Sequence, residues 1–152
     1  MKTFKQFISE AKQVGSLYHY TNAGGAKAIL KSNSLKASGQ NSNGASEHVS
    51  ATRDKNLHKT ATNQYGYRHR RGVPMDVSFE LDGDKISHKH KTSPYQYDRS
   101  LHKKNSESEE TIKTKNLSNI KDYIKSIRIH SPLTWSDEHE LKQHGIPVHH
   151  VS

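Results

Sequence analysis

The segment Met75-Asp-Val-Ser-Phe-Glu-Leu81 constrains this chain more than any other stretch. Met75, Val77, Phe79 and Leu81 alternate with Asp76, Ser78 and Glu80, the period-two pattern of a strand with one apolar face. Elsewhere the apolar residues also come in short runs. Only 30% of the 152 residues are hydrophobic, and the mean hydropathy is −1.02. A diluted composition of that kind would leave a chain disordered, but clustering into patterned runs lets a modest core form. The expectation is one folded domain with long polar loops.

The runs fall in an order that reads as α+β. Leu17–Tyr20 is a short strand, and Thr21 is an N-cap for a helix through Ala23, Ala26, Ile29 and Leu30 that ends near Asn33. Leu35–Ala37 and His48–Thr52 are further strands, separated by the Gly/Asn/Ser-rich loop 39–46. After Leu81, Asp82-Gly83 turns the chain, and 87–105 reads as a polar loop around Pro94. Glu109–Thr114 and Ser126–His130 are strands flanking a short helix at Asn119–Ile124. Ser136–His144 is a helix stopped by Gly145, and Val148–Val151 is a last edge strand.

Lys and Arg number 24 against 15 Asp and Glu, giving +9 at pH 7, with twelve His that add charge in acid. The sequence pI near 9.7 implies attraction to polyanions, whether nucleic acid or a phosphate-bearing ligand. Zero cysteines excludes a disulfide framework and a thiolate zinc site. No run approaches the roughly 20 apolar residues of a membrane helix, so no membrane partner is expected. Histidines at 88, 90, 139, 144, 149 and 150 invite a zinc reading. His139 and His144 are five residues apart, which misses the spacing that places two ligands on one helix face, so no metal is expected.

Residues 1–11 stand apart. Phe4, Phe7, Ile8 and Ala11 form one apolar stripe of a helix too short to be stable alone. The segment resembles the capsid-targeting peptides of internal head proteins in T-even-type phages, which end in an apolar residue, any residue, then Glu. Here that tripeptide is Ile8-Ser9-Glu10. The resemblance implies a leader of residues 1–10, cleaved between Glu10 and Ala11 by a prohead protease. It places the protein in the virion interior and then in the host cytoplasm.

Three segments in the remaining domain, 11–152, could carry chemistry. They are Leu17-Tyr18-His19-Tyr20-Thr21, Val49-Ser50-Ala51-Thr52-Arg53 and Glu107-Ser108-Glu109-Glu110-Thr111-Ile112. In this order they resemble the three motifs of phage-encoded ADP-ribosyltransferase-like proteins: a His-bearing first strand, a Ser/Thr-rich second strand and an acidic third. The likeness spans roughly residues 17–130. It implies split, curved antiparallel sheets, NAD as substrate and mono-ADP-ribosylation of a host macromolecule, protein or nucleic acid, early in infection.

Breaking the nicotinamide–ribose bond passes through an oxocarbenium-like state, which a carboxylate near the ribose stabilises. Glu109 is the first choice, with Glu107 and Glu110 as alternatives, and the sequence leaves the choice open. The resemblance gives NAD binding to His19, Tyr20, Thr21, Ser50 and Thr52. Arg53 suits the pyrophosphate as a planar fork donor, and Tyr65 or Tyr67 could stack on nicotinamide. Two other readings fit the same chain: a non-catalytic basic head protein that binds packaged DNA or inhibits a host defence, and an RNA 2′-phosphotransferase-like enzyme on the same scaffold.

Overall fold

The alternating segment becomes an inner strand of a mixed α+β structure, paired on both sides. The computed structural model describes residues 14–37, 49–56, 69–70, 73–74, 76–94 and 109–151. Their strands are β1 (Ser16–Thr21), β2 (Ser34–Lys36), β3 (Val49–Thr52), β4 (His69–Arg70), β5 (Val73–Pro74), β6 (Val77–Asp82), β7 (Thr92–Pro94), β8 (Glu109–Ile112), β9 (Asn116–Ser118), β10 (Ile124–Ile129) and β11 (Val148–His150). The helices are α1 (Ala23–Ser32), α2 (Gly83–Ser87) and α3 (Trp135–Lys142), with a 3-10 turn at Ile120–Asp122.

Seven strands form one sheet in the order β11-β10-β6-β1-β3-β8-β7, and the pairs β2–β9 and β4–β5 form two ribbons. Pairing among the described residues is antiparallel except for β10–β11. The expected α+β class is therefore observed: antiparallel-dominated sheets with a few short helices.

The pleat divides the sheet into two faces. One carries Leu17 on β1, Phe79 and Leu81 on β6 and Ile127 on β10, all fully buried. α1 contributes Ala26 and Leu30 to the same core, and α3 contributes Leu141. Removing a side chain such as Phe79 from water stabilises the fold by about 1.5–3 kcal/mol. The opposite face is polar yet also buried: Tyr18, Tyr20, Ser78, Ser126, Thr52 and Arg128 are all under 10% exposed.

Two helix starts differ from the expectation. Asn22, not Thr21, caps α1: its side chain accepts from Gly25 N at 2.6 Å. Thr21 is still in β1, paired with Val77, so its backbone belongs to the ladder. Gly25 is needed beside it, because a Cβ there would lie 2.2 Å from Thr21 Oγ1. At the other site Asp82 does not simply turn the chain. Its side chain accepts from Lys85 N at 3.1 Å and opens α2.

The start of β1 is secured at α2. Asp84 Oδ1 accepts from Val14 N at 2.6 Å and Gly15 N at 2.9 Å, while Gly83 N donates to Gly15 O at 2.8 Å. The Gly15 and Val14 amides hold the Asp84 carboxyl below its ordinary value. The described helices include none long and apolar enough to cross a membrane.

Candidate functional site

The three chemistry-bearing motifs lie on neighbouring strands. β1 carries His19, β3 carries Ser50 and Thr52, and β8 carries Glu109 and Glu110, in the spatial order β1-β3-β8. Hydrogen-bonded registers thus bring together β1 and β3, where His19 and Ser50 are 31 residues apart, and β8 from much further along the chain.

His19 is half-buried, and its Nδ1 lies 3.1 Å from Ser50 O. A carbonyl only accepts, so Nδ1 carries the proton. Burial pushes the ring's pKa below the ordinary 6.5, against the opposing pull of the Ser50 carbonyl. The ring is therefore neutral at pH 7, and Nε2 presents a lone pair. Among the described residues no second hydrogen bond engages the ring. The result is a fixed acceptor, oriented by backbone and available to a donor such as a hydroxyl or an amide N–H.

The registers sort the carboxylate positions. Tyr18 pairs with Thr52, and Thr52 pairs with Glu109. One step along the same antiparallel pairing sets His19 beside Ala51, and Ala51 pairs with Glu110. Glu110 thus stands in the row of His19, two strands away, with the smallest side chain of the three between them. Glu109 stands in the row of Tyr18 and Thr52. Because faces alternate at every residue, the two rows belong to opposite faces.

The remaining expected ligands divide in the same way. Thr21 ends β1 on the His19 face, directly before α1. Tyr20 and Ser50 belong to the polar face, although the Ser50 carbonyl serves His19. Thr52 Oγ1 accepts from Asp54 N at 3.0 Å, which folds the chain sharply after β3. Arg53 is exposed at that bend. Tyr65, Tyr67, Glu107 and the cleavage residues Ile8, Glu10 and Ala11 lie outside the described residues.

The polar face holds groups that the motif reading did not single out. Arg128 Nη1 donates to Ser78 Oγ at 3.1 Å, and Nη2 donates to Lys55 O at 2.7 Å. Its guanidinium also lies 4.7 Å from the centre of the Tyr18 ring. Tyr20 donates its hydroxyl to Asp54 O at 3.0 Å and stacks on His130 at 5.4 Å. His130 Nε2 shares a 2.8 Å hydrogen bond with Ser78 Oγ. Together these side chains hold the turn 53–56 from beneath. Ser78 falls at a regular polar position of its alternating strand, so the sequence does not single it out; strand pairing sets it opposite Arg128.

The described residues include no group of three His, Cys, Asp or Glu able to hold a metal ion. His139 stacks on the exposed Trp135 at 4.7 Å, and His150 contacts Glu138 at 3.0 Å. No family model matches the chain, and no curated protein matches it.

Proposed function

We propose that this protein is an NAD-dependent mono-ADP-ribosyltransferase with an ADP-ribosyltransferase-like fold, carried in a phage head and acting on a host macromolecule. The observation that supports it best is the His19 row. A neutral histidine, fixed by Ser50 O and offering Nε2, shares a register row with a carboxylate residue on the second strand over.

Each part has a task in the reaction. NAD is the substrate, and the bond between nicotinamide nitrogen and ribose C1′ breaks while an acceptor nucleophile bonds to C1′. His19 Nε2 accepts a hydrogen bond from a ribose hydroxyl or the carboxamide N–H and so fixes the sugar. The carboxylate stabilises positive charge on the oxocarbenium-like centre, and can take the acceptor's proton. The shared register row supports Glu110 for that role, with Glu109 as the alternative. Arg53, exposed directly after β3, supplies a fork donor to the pyrophosphate.

Incubation with labelled NAD and lysate of a bacterial host tests the reading. A discrete labelled band should appear with the wild type and disappear with Glu110→Gln. Absence of label, of NAD hydrolysis and of any NAD-induced thermal shift would sink it. The leader is tested separately, by the N-terminus of the protein in virions: Ala11 is expected, and any other start argues against cleavage after Glu10.

A further inference from the structure

Charge is segregated across the described part of the molecule. Around α3 every acid that faces a lysine is paired: Lys27 lies 2.7 Å from Asp137 and 3.4 Å from Glu140, and Lys142 lies 2.9 Å from Glu138. At the other end, beside the β7 edge of the sheet, Lys36, Lys91, Lys113 and Lys115 are all exposed. None of the four makes an ion pair among the described residues.

Backbone bonds, not chance, set these lysines together. Lys113 N donates to Lys91 O at 2.8 Å, and Ala37 N donates to Lys115 O at 2.8 Å. Lys36 faces Asn116 in the β2–β9 register. Paired strands place opposite residues about 5 Å apart, and a strand advances about 3.3 Å per residue. Successive Cα positions in the series Lys91, Lys113, Lys115, Lys36 therefore lie roughly 5–8 Å apart by those spacings. Like charges gathered there repel, and an arriving polyanion relieves them.

We propose that this lysine ridge docks the phosphate backbone of double-stranded DNA. One DNA strand carries a phosphate about every 3.4 Å along the axis, so the ridge matches roughly three or four of them. The regular phosphate spacing of the duplex is the feature such a series of lysines fits. Lys113 follows Glu110 on the same chain segment at about 10 Å by strand rise, so DNA held there lies beside the proposed transfer centre. Giving the acceptor this chemical class rests on the ADP-ribosyl-transfer reading, whereas the docking itself does not.

Fluorescence anisotropy of the full chain with a labelled 20-base-pair duplex, over 50–200 mM salt, tests this. Four neutralised phosphates give a log–log slope near −3.6, or roughly a 100-fold loss of affinity over that range. The combined variant Lys36→Gln, Lys91→Gln, Lys113→Gln, Lys115→Gln should flatten the slope by about three units, while thermal stability and the NAD-induced shift stay at wild-type values. A wild-type slope in the variant overturns the proposal. So does equal competition by polyglutamate, which would mark an acidic protein partner, or tighter binding of a single strand. If the wild type ignores NAD but the variant loses DNA, the transfer reading falls and the docking surface stands.

Discussion

The two faces of the seven-stranded sheet are buried to a similar degree but by different means. On one, Leu17, Phe79, Leu81 and Ile127 pack against α1 and are stabilised by leaving water. On the other, Tyr18, Ser78, Ser126 and Arg128 are nearly as buried, and the groups there meet through hydrogen bonds and a ring contact. Glu80 shows the pattern on its own strand, accepting from the Ser16 and Ser126 hydroxyls at 2.9 and 3.0 Å. The first face tolerates changes of shape poorly, and the second tolerates loss of partners poorly. The difference also separates the proposed NAD-binding histidine from its support: His19 belongs with the first face, while the groups that fix the turn after β3 belong with the second.

The sharpest test of that division is catalytic. Glu110→Gln should lower transfer by about 1,000-fold, the scale of a lost electrostatic stabiliser, whereas Glu109→Gln should change it by no more than about 3-fold. The reverse outcome, in single-turnover assays, would break the assignment of faces. Next comes the apolar side. Phe79→Ala should destabilise by about 3–5 kcal/mol in denaturant titration, because a fully buried ring leaves a cavity. A loss under about 1 kcal/mol would mean the face is far looser than its burial implies.

The polar face should give less. Arg128→Met should lower stability by about 1–2 kcal/mol, since it frees the Ser78 hydroxyl and the Lys55 carbonyl but also removes a buried charge that has no carboxylate partner among the described residues. A loss equal to that of Phe79→Ala would erase the distinction. The smallest effect is in pH. His19 has a folded pKa below 6.5, so the unfolded state binds its proton first as pH falls. The histidine's stabilising contribution is thus whole above 6.5 and declines below it until the folded ring also protonates. NAD affinity should stay flat from pH 8 to about 6.5 and weaken only in more acid solution. Weakening that begins above 7 would show a ring of ordinary or raised pKa, exposed on both sides.

Much of the apolar face was legible beforehand, because strand alternation and helical spacing are local. Val77, Phe79 and Leu81 alternate as expected, and Ala26 and Leu30 bury the inner face of α1. Asn33 ends that helix in the left-handed region at φ 52°, where Asn is tolerated. The strand expected from Met75 is described from Val77. β7 was read as loop, since three residues of Thr-Ser-Pro carry no pattern of their own and are held by β8. The α2 helix was missed because Asp82-Gly83 is both a turn signal and a cap followed by glycine, and only the contact with Val14 and Gly15 decides between them.

Burial of the polar face was not legible at all. Ser78 and Glu80 read as solvent-facing, and nothing local says that Arg128, on a strand two positions over from Tyr18, will lie across its ring. The sequence shows the candidate motifs as segments, but not which of their positions share a register row. Adjacent glutamates differ by one residue in sequence and by a whole face in the sheet, and that parity follows only from the pairing of Thr52 with Glu109.

The position of β1 has a consequence for how the chain reaches this state. The first of the described strands is the centre of the sheet, flanked by β3 and β6, and its entry is closed by Asp84 across 70 and 69 residues of sequence. Local structure therefore cannot secure it. Until the chain has emerged past α2, the apolar residues of β1 have no partner on the β6 side, and the loop entropy of that closure is spent before its bonds form. Such a contact pattern makes for slow, late consolidation, with refolding on the millisecond-to-second scale typical of non-local sheets. A cell that makes this protein must shelter its start while waiting for its middle.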